Sequence, residues 1–539
     1  MAAVPRHSQP STKVKKPSIT SSKGWPGLKL QDLTDSDQEL AKKYNRTPHA
    51  FQQEAIQAQL LRKDTIFHAG TGAGKTTIAA GPHAHGKVKG MVTFMISPLI
   101  ALQEEQVSFQ WIRNEDGLTY WLGTGFNFPR RVWTDGDGCE LNPWWLHRRG
   151  HECEFYQPFL RLELTTAHQE IRKGKWQIVL LSPEIILSKR FVKNVLRSPE
   201  MGPKILSVVI DEAHVISHWG AGFRKQYGSL GILRALLPKG TPFVAMSATL
   251  SPRVRKDVLS KLQFHKDYVD LSIGNDRPNV SIMVRAIQNP MNTYSDLDFL
   301  IPANVQQPDD IKKTFLYVDQ ISTQIEIKDR LYSRLPSLFR NQGVIRPYSA
   351  SFTTEHRAEV MALFKAGIVR ILICTDAAGM VSSQLLMLVI IQLYIQGCNI
   401  PDVDLVVQWK LPTSVSTFVQ RAGRAARGAE WIGIAVLLVE KSVYEADLSR
   451  LEEAVSMSAT KKKSVRQSST YPKATKQYAA DHGALRGGSS PGCDSSLGQK
   501  DVPLDSASID EGLYTLAQTV ACQRKVLTAI YGNRKPCKS

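Results

Sequence analysis

Apolar positions along this chain gather into short continuous runs rather than strict alternations. DTIFHA (64–69), VTFMIS (92–97), QIVLLSP (177–183), LSVVIDE (206–212) and PFVAMSA (242–248) each read as a strand buried on both faces, as in a parallel sheet. A second series follows: KTFLYV (313–318), VRILICT (369–375), DLVVQW (404–409) and IGIAVLLV (432–439). Helical stretches separate the runs, so each series predicts βαβ units, and two series predict two tandem α/β domains. The boundaries fall at 25–275 and 276–440. Residues 1–24 hold five Lys/Arg and no acid, the composition of a disordered basic arm. Residues 107–165 show no convincing period and read as an irregular insert. The stretch 441–508 turns rich in Ser, Lys, Gly and Ala and reads as a low-complexity linker. A last helical segment occupies 509–539.

At 539 residues the chain has room for several cores, and 42% hydrophobic with 22% charged residues excludes wholesale disorder. Lys and Arg total 68 against 49 Asp and Glu, a net charge of +19, which favours a polyanionic partner, nucleic acid foremost. Seven cysteines without a dense spacing fit a reducing compartment. No signal peptide is expected at the N-terminus, and the apolar run Leu385–Ile391 is too short to span a membrane of about 20 helical residues.

Candidate chemistry begins where the first run ends. Ala69-Gly70-Thr71-Gly72-Ala73-Gly74-Lys75-Thr76-Thr77 joins a strand to a helix, the arrangement in which backbone N–H groups cradle phosphates. Lys75 would reach the β- and γ-phosphates of ATP, and the Thr76 hydroxyl would hold Mg²⁺. Ala69 stands where the usual pattern has Gly. Further on, Asp211-Glu212-Ala213-His214 follows the apolar run 205–210 directly. Asp211 would bind the metal through water, and Glu212 would orient or deprotonate the attacking water.

These two motifs, with Ser247-Ala248-Thr249, make the chain resemble a superfamily 2 helicase, and the text after the tetrad, DEAHVISHWGAGFRKQYGSLGILR, resembles the RecQ family. The resemblance implies two RecA-like domains with ATP between them and 3′-to-5′ unwinding of DNA in repair and recombination. The expected location is the nucleus. It also implies an aromatic loop sensing single-stranded DNA through His218, Trp219, Phe223, Arg224 and Tyr227, since every base offers a ring face to stack on. Phe51–Ile56 resembles the adenine-reading segment, with Gln52 as its glutamine, although the usual Arg after Phe51 is missing. Ser97 and Pro98, in SPLIALQEEQV, resemble a DNA-backbone motif, as does LLSPE (180–184). VQRAGRAARG (419–428) resembles motif VI, whose pattern places Gln420, Arg424 and Arg427 at the γ-phosphate. Competing readings are a catalytically impaired ATPase relative and an RNA helicase of the same superfamily.

Three departures stand out. At the C-terminus Cys522 starts what resembles the family's zinc-binding hairpin, but Cys537 alone follows, so the four ligands of a structural zinc are incomplete and zinc is not expected. The insert 107–165 carries Cys139, His147, His151 and Cys153 without a paired spacing, a weak metal candidate. Motif V would run from TDAAGM into GCNIPDV, yet residues 381–396 interrupt it. That segment opens on Val-Ser, encodable as GTAAGT or GTGAGT, and closes on Gln, encodable as CAG, so a translated intron is the expected origin, with a lineage-specific insertion as the alternative.

Overall fold

The computed structural model describes residues 24–33, 48–70, 73–98, 108–113, 119–124, 166–218, 225–349, 351–375, 400–428, 430–450, 472–488, 501–506, 508 and 510–533. Two sheets organise them. The first holds β1 (Thr65–Ala69), β2 (Val92–Ile96), β3 (Ser108–Arg113), β4 (Thr119–Thr124), β5 (Ile178–Leu181), β6 (Ile205–Ile210), β7 (Phe243–Ser247) and β8 (Val269–Gly274), in the order β3-β4-β5-β2-β6-β7-β1-β8. The second holds β9 (Val280–Ala286), β10 (Thr314–Tyr317), β11 (Ile345–Tyr348), β12 (Ile371–Cys374), β13 (Leu405–Trp409) and β14 (Gly433–Val439), in the order β11-β12-β10-β13-β14-β9. Pairing is parallel throughout, apart from the antiparallel β3–β4 hairpin.

The physical reason is plain in β6, where all six residues of ILSVVI are buried. A strand covered on both faces has no polar side to alternate with. The two parallel sheets are the RecA-like pair expected from the sequence.

Two expectations need correction. Residues 107–165 do not begin irregularly: Ser108–Arg113 and Thr119–Thr124 pair antiparallel and join the first sheet through Tyr120 opposite Ile178. Nor is 441–508 a free linker in its described parts. The Arg486 carbonyl accepts from the Ala286 N–H (3.0 Å), the Gln288 amide donates to Ala484 (3.0 Å), and Ala446 bridges to Lys473. These contacts press 441–450 and 472–488 onto the edge of the second sheet. The expected terminal helices are present as Leu513–Gln518 and Gln523–Tyr531, and Leu513, Leu516, Ile530 and Tyr531 enter the core of the second domain.

Residues 275–279 join the two sheets. Arg277 donates to the Ala425 and Ala426 carbonyls (3.2 and 2.6 Å), and the Asn279 amide donates to Ala426 (2.8 Å), so the joint is fastened to the motif VI turn. Of the arm 1–24 the described residues include Gly24 alone, and the interruption 381–396 lies outside them.

Candidate active site

The phosphate loop follows β1, as the sequence predicts. Gly70 donates its N–H to the Gly274 carbonyl (3.0 Å), and Gly74 turns the chain with φ 69° into the helix Lys75–Ala80. A left-handed φ suits a residue without Cβ; here a Cβ would also strike the Gln52 amide. Thr71 and Gly72 lie outside the described residues, whereas Ala73, Lys75, Thr76 and Thr77 sit at the loop's exit.

Gln52 is buried at 4% exposure, and its amide is engaged within the chain. Its nitrogen donates to the Ala73 and Gly74 carbonyls (3.0 and 3.3 Å) while its oxygen accepts from the His49 N–H (2.9 Å). The residue expected to read adenine therefore shapes the phosphate loop in this structure. Its helix, Ala50–Leu60, is locked by Gln59, which donates to the Ile78 carbonyl (2.8 Å) and accepts from Ser207 on β6 (2.8 Å).

β6 delivers the acidic pair. Asp211 donates its N–H to the Ile96 carbonyl at the end of β2 (2.9 Å), and Glu212 adopts φ 49°, a conformation uncommon for a side chain of its size. The two carboxyls are driven apart. Burial, reinforced by Glu212, pushes Asp211 up to about 6 against the pull of Lys75. Burial would raise Glu212 as well, but Lys75, His214 and Arg424 outweigh it and hold that carboxyl well below the usual range. A carboxylate pair this crowded, beside a lysine and a glycine-lined loop, fits Mg²⁺ with a polyphosphate: a cation would offset the burial and the repulsion that together raise Asp211. Thr76 and Asp211 would hold the metal. Among the described residues no group of three or more His, Cys, Asp or Glu could hold a metal ion. Cys522 is exposed, while Cys139, His147, His151, Cys153 and Cys537 lie outside the described residues.

His214 carries the site across to the second domain. Its Nε2 accepts from the Gln420 amide (2.8 Å), and the same amide donates to the Thr249 hydroxyl (2.9 Å). The proton must then sit on Nδ1, which faces the Ser247 hydroxyl (2.9 Å) and the Glu212 carboxylate (3.3 Å). Burial lowers the His214 pKa more than Glu212 raises it, so the ring is held neutral, as an accepting Nε2 requires. Gln420 rides on the helix Val415–Ala422, whose N-cap Ser414 accepts from the Thr417 N–H. Past that helix, Arg424 is close enough to lower the Glu212 pKa. Arg427 donates through Nε to the Gly423 carbonyl (3.3 Å). Arg421 is built into the second domain instead, between Asp319 (2.9 Å) and Gln408.

The expected strand-contacting residues fare differently. Tyr227, expected to stack on bases, is instead fully buried in the first domain's core with Leu230, Leu233 and Ile216. The reason is the turn Tyr227–Ile232, which points the ring inward. Ser97 and Pro98 are also buried, at the end of β2. Trp219, Phe223 and Arg224 lie outside the described residues. Sequence reasoning missed Ser416, Glu511 and Tyr531, which meet near this cleft and carry no local motif.

Two domain families match the chain: a DEAD/DEAH box helicase over residues 49–114 and 159–258, and a helicase conserved C-terminal domain over 298–429. The ATP-dependent DNA helicase RecQ of Pasteurella multocida is 27% identical over 395 residues, covering 73% of this chain and 50% of its own. That of Haemophilus influenzae is 26% identical over 396 residues, covering 73% and 51%. A putative ATP-dependent RNA helicase of Acanthamoeba polyphaga mimivirus is 27% identical over 263 residues, covering 49% of this chain and 41% of its own. The chain spans about half the length of the RecQ relatives it matches.

Proposed function

Since the chain belongs to the RecQ family of superfamily 2 helicases, we propose that it hydrolyses ATP to move 3′-to-5′ along single-stranded DNA and unwind duplex, acting in repair or recombination in the nucleus. The observation that carries this reading is the joint between His214 and Gln420, which ties the acidic pair in one domain to the arginine-bearing helix of the other. Bound ATP with Mg²⁺ would supply the free energy, through cleavage of its terminal phosphate bond. Lys75 and Thr76 would bind and orient the phosphates. Glu212, kept ionised, would accept the proton of the attacking water. Arg424 would face the charge that develops on the transferred group. His214 would report that event to Gln420.

The test is steady-state ATPase with single-stranded DNA, with single-stranded RNA and with neither, alongside strand displacement on duplexes carrying a 3′ or a 5′ tail. The expected result is turnover stimulated by DNA, displacement from the 3′ tail, and loss of both in Lys75→Ala. Stimulation by RNA alone would make the chain an RNA helicase. Absence of turnover in the wild type would favour the impaired relative, which the interrupted motif V makes concrete.

A further inference from the structure

The cleft between the domains is crossed twice, and the first helical turn of spacing explains why. His214 and His218 lie four residues apart with ring centroids 5.7 Å from each other, and Ser416 and Gln420 lie four apart on the facing helix. At one level the partners touch directly, Gln420 to His214 at 2.8 Å. At the other, a third side chain fills the gap. Glu511 Oε1 meets His218 Nε2 at 3.1 Å, while Oε2 accepts from the Ser416 N–H (3.0 Å) and from its hydroxyl.

Glu511 is fully buried and adopts φ 61°, followed by Gly512 at φ 84°. A glutamate held left-handed is an outlier that surrounding contacts must enforce. Here the turn delivers a carboxylate to the N-terminal turn of the helix Val415–Ala422, where the helix dipole welcomes negative charge. Burial would push its carboxyl up, but the hydrogen bonds from His218 and Ser416 prevail and hold it low. The segment behind it is anchored. The Tyr531 hydroxyl lies 3.1 Å from that of Ser416, Asn533 exchanges hydrogen bonds with Asn275 (3.0 and 3.2 Å), and Arg524 donates to the Val280 carbonyl (2.7 Å). The tail thus holds the interdomain joint and both walls of the cleft.

We infer that Glu511 is a positioning residue, which sets the helix bearing Gln420 against the turn from His214 to His218 so that nucleic-acid binding is converted into faster ATP hydrolysis. This rests on the reading of the chain as a nucleic-acid-stimulated ATPase. Glu511 touches neither the phosphate loop nor the acidic pair, so its loss should spare basal turnover and the KM for ATP and lower the stimulated kcat.

The experiment measures ATPase of the full chain with and without single-stranded DNA, for the wild type, Glu511→Ala, Glu511→Gln and Ser416→Ala, with a thermal melt of each. Glu511→Ala should lose about tenfold of the stimulated kcat, the effect of removing hydrogen bonds to a charged group. Glu511→Gln keeps an acceptor oxygen for Ser416 but turns an NH2 towards His218, whose neutral ring must then accept through Nε2, and should restore part of it. Ser416→Ala, which removes one hydroxyl and decides the matter if Glu511→Ala fails to fold, should lose about threefold. Wild-type stimulation in both alanine variants overturns the inference while leaving the proposed function intact. A wild type that DNA does not stimulate overturns the proposed function itself.

Discussion

His68, next to last in β1, has its ring fully buried, with Nε2 3.2 Å from the Ala248 carbonyl and Nδ1 3.1 Å from the Ser272 hydroxyl. Burial, with smaller repulsion from Arg255 and Lys75, pushes its pKa down to about 4 from an ordinary 6.5. Above pH 6.5 the ring is neutral whether the chain is folded or not, and the full stability is present. As pH falls from 6.5 towards 4 the unfolded ring takes up a proton that the folded ring refuses, so stability drops, by on the order of 3 kcal/mol in total. His168, lowered to about 4 by burial and then by Arg190 and Arg172, adds to the same window. Urea unfolding at pH 7.5 and 4.5 should show this loss in the wild type and a smaller one in His68→Gln. An equal pH dependence in the two would mean that His68 titrates normally in the fold. At this scale the chemistry of the cleft was legible where it is local: Lys75, Asp211, Glu212 and Gln420 sit in tight motifs whose spacing states their use. Glu511 was not, because its partners are 95 and 293 residues away and a lone acid in a turn has no pattern.

The elements that the runs predicted are those buried on both faces, and the ones they missed lie at sheet edges. β8 buries only Leu271 and Gly274 of its six residues, β11 carries Pro347 at the edge where a missing N–H costs no ladder bond, and the β3–β4 pair sits at the far rim of the first sheet. Edge strands see solvent, so their sequences lose the continuous apolar run. The phosphate loop is the element most sensitive to a single atom. Gly74→Ala forces a Cβ into a left-handed residue and against the Gln52 amide. It should cost about 1–2 kcal/mol in stability and weaken ATP binding at least tenfold, read by calorimetry with a nonhydrolysable analogue. Binding at wild-type strength would show that Gln52 yields without disturbing the loop.

At the scale of the whole molecule, β12 and β13 both pair with β10, and the described chain leaves β12 at Thr375 and returns at Ile400. Residues 381–396 fall inside that one crossover. Among the described residues the six strands of the second sheet pair with one another on either side of that crossover. Removing 381–396, which joins Met380 to Gly397, should leave the melting temperature of the chain unchanged or higher, raise the soluble yield, and increase DNA-stimulated turnover. Solubility and turnover that match the full chain would mean that the segment is tolerated and would withdraw the functional support for an intron origin.

β1, which lies between β7 and β8, also fixes an order of events during synthesis. It leaves the ribosome first, yet His68 meets its partners 180 and 204 residues later in the chain. At about 5–20 residues per second the nascent strand waits for roughly 10–40 s before a neighbour exists to pair with it. Through that interval the Gly-Lys-Thr motif has no fixed shape, and the apolar runs of β2, β5 and β6 emerge beside an unfilled centre. Until Gly274 is made, the Gly70 N–H lacks the carbonyl that holds the start of the phosphate loop, so a chain ending before Val269 should carry every letter of the motif and bind ATP weakly.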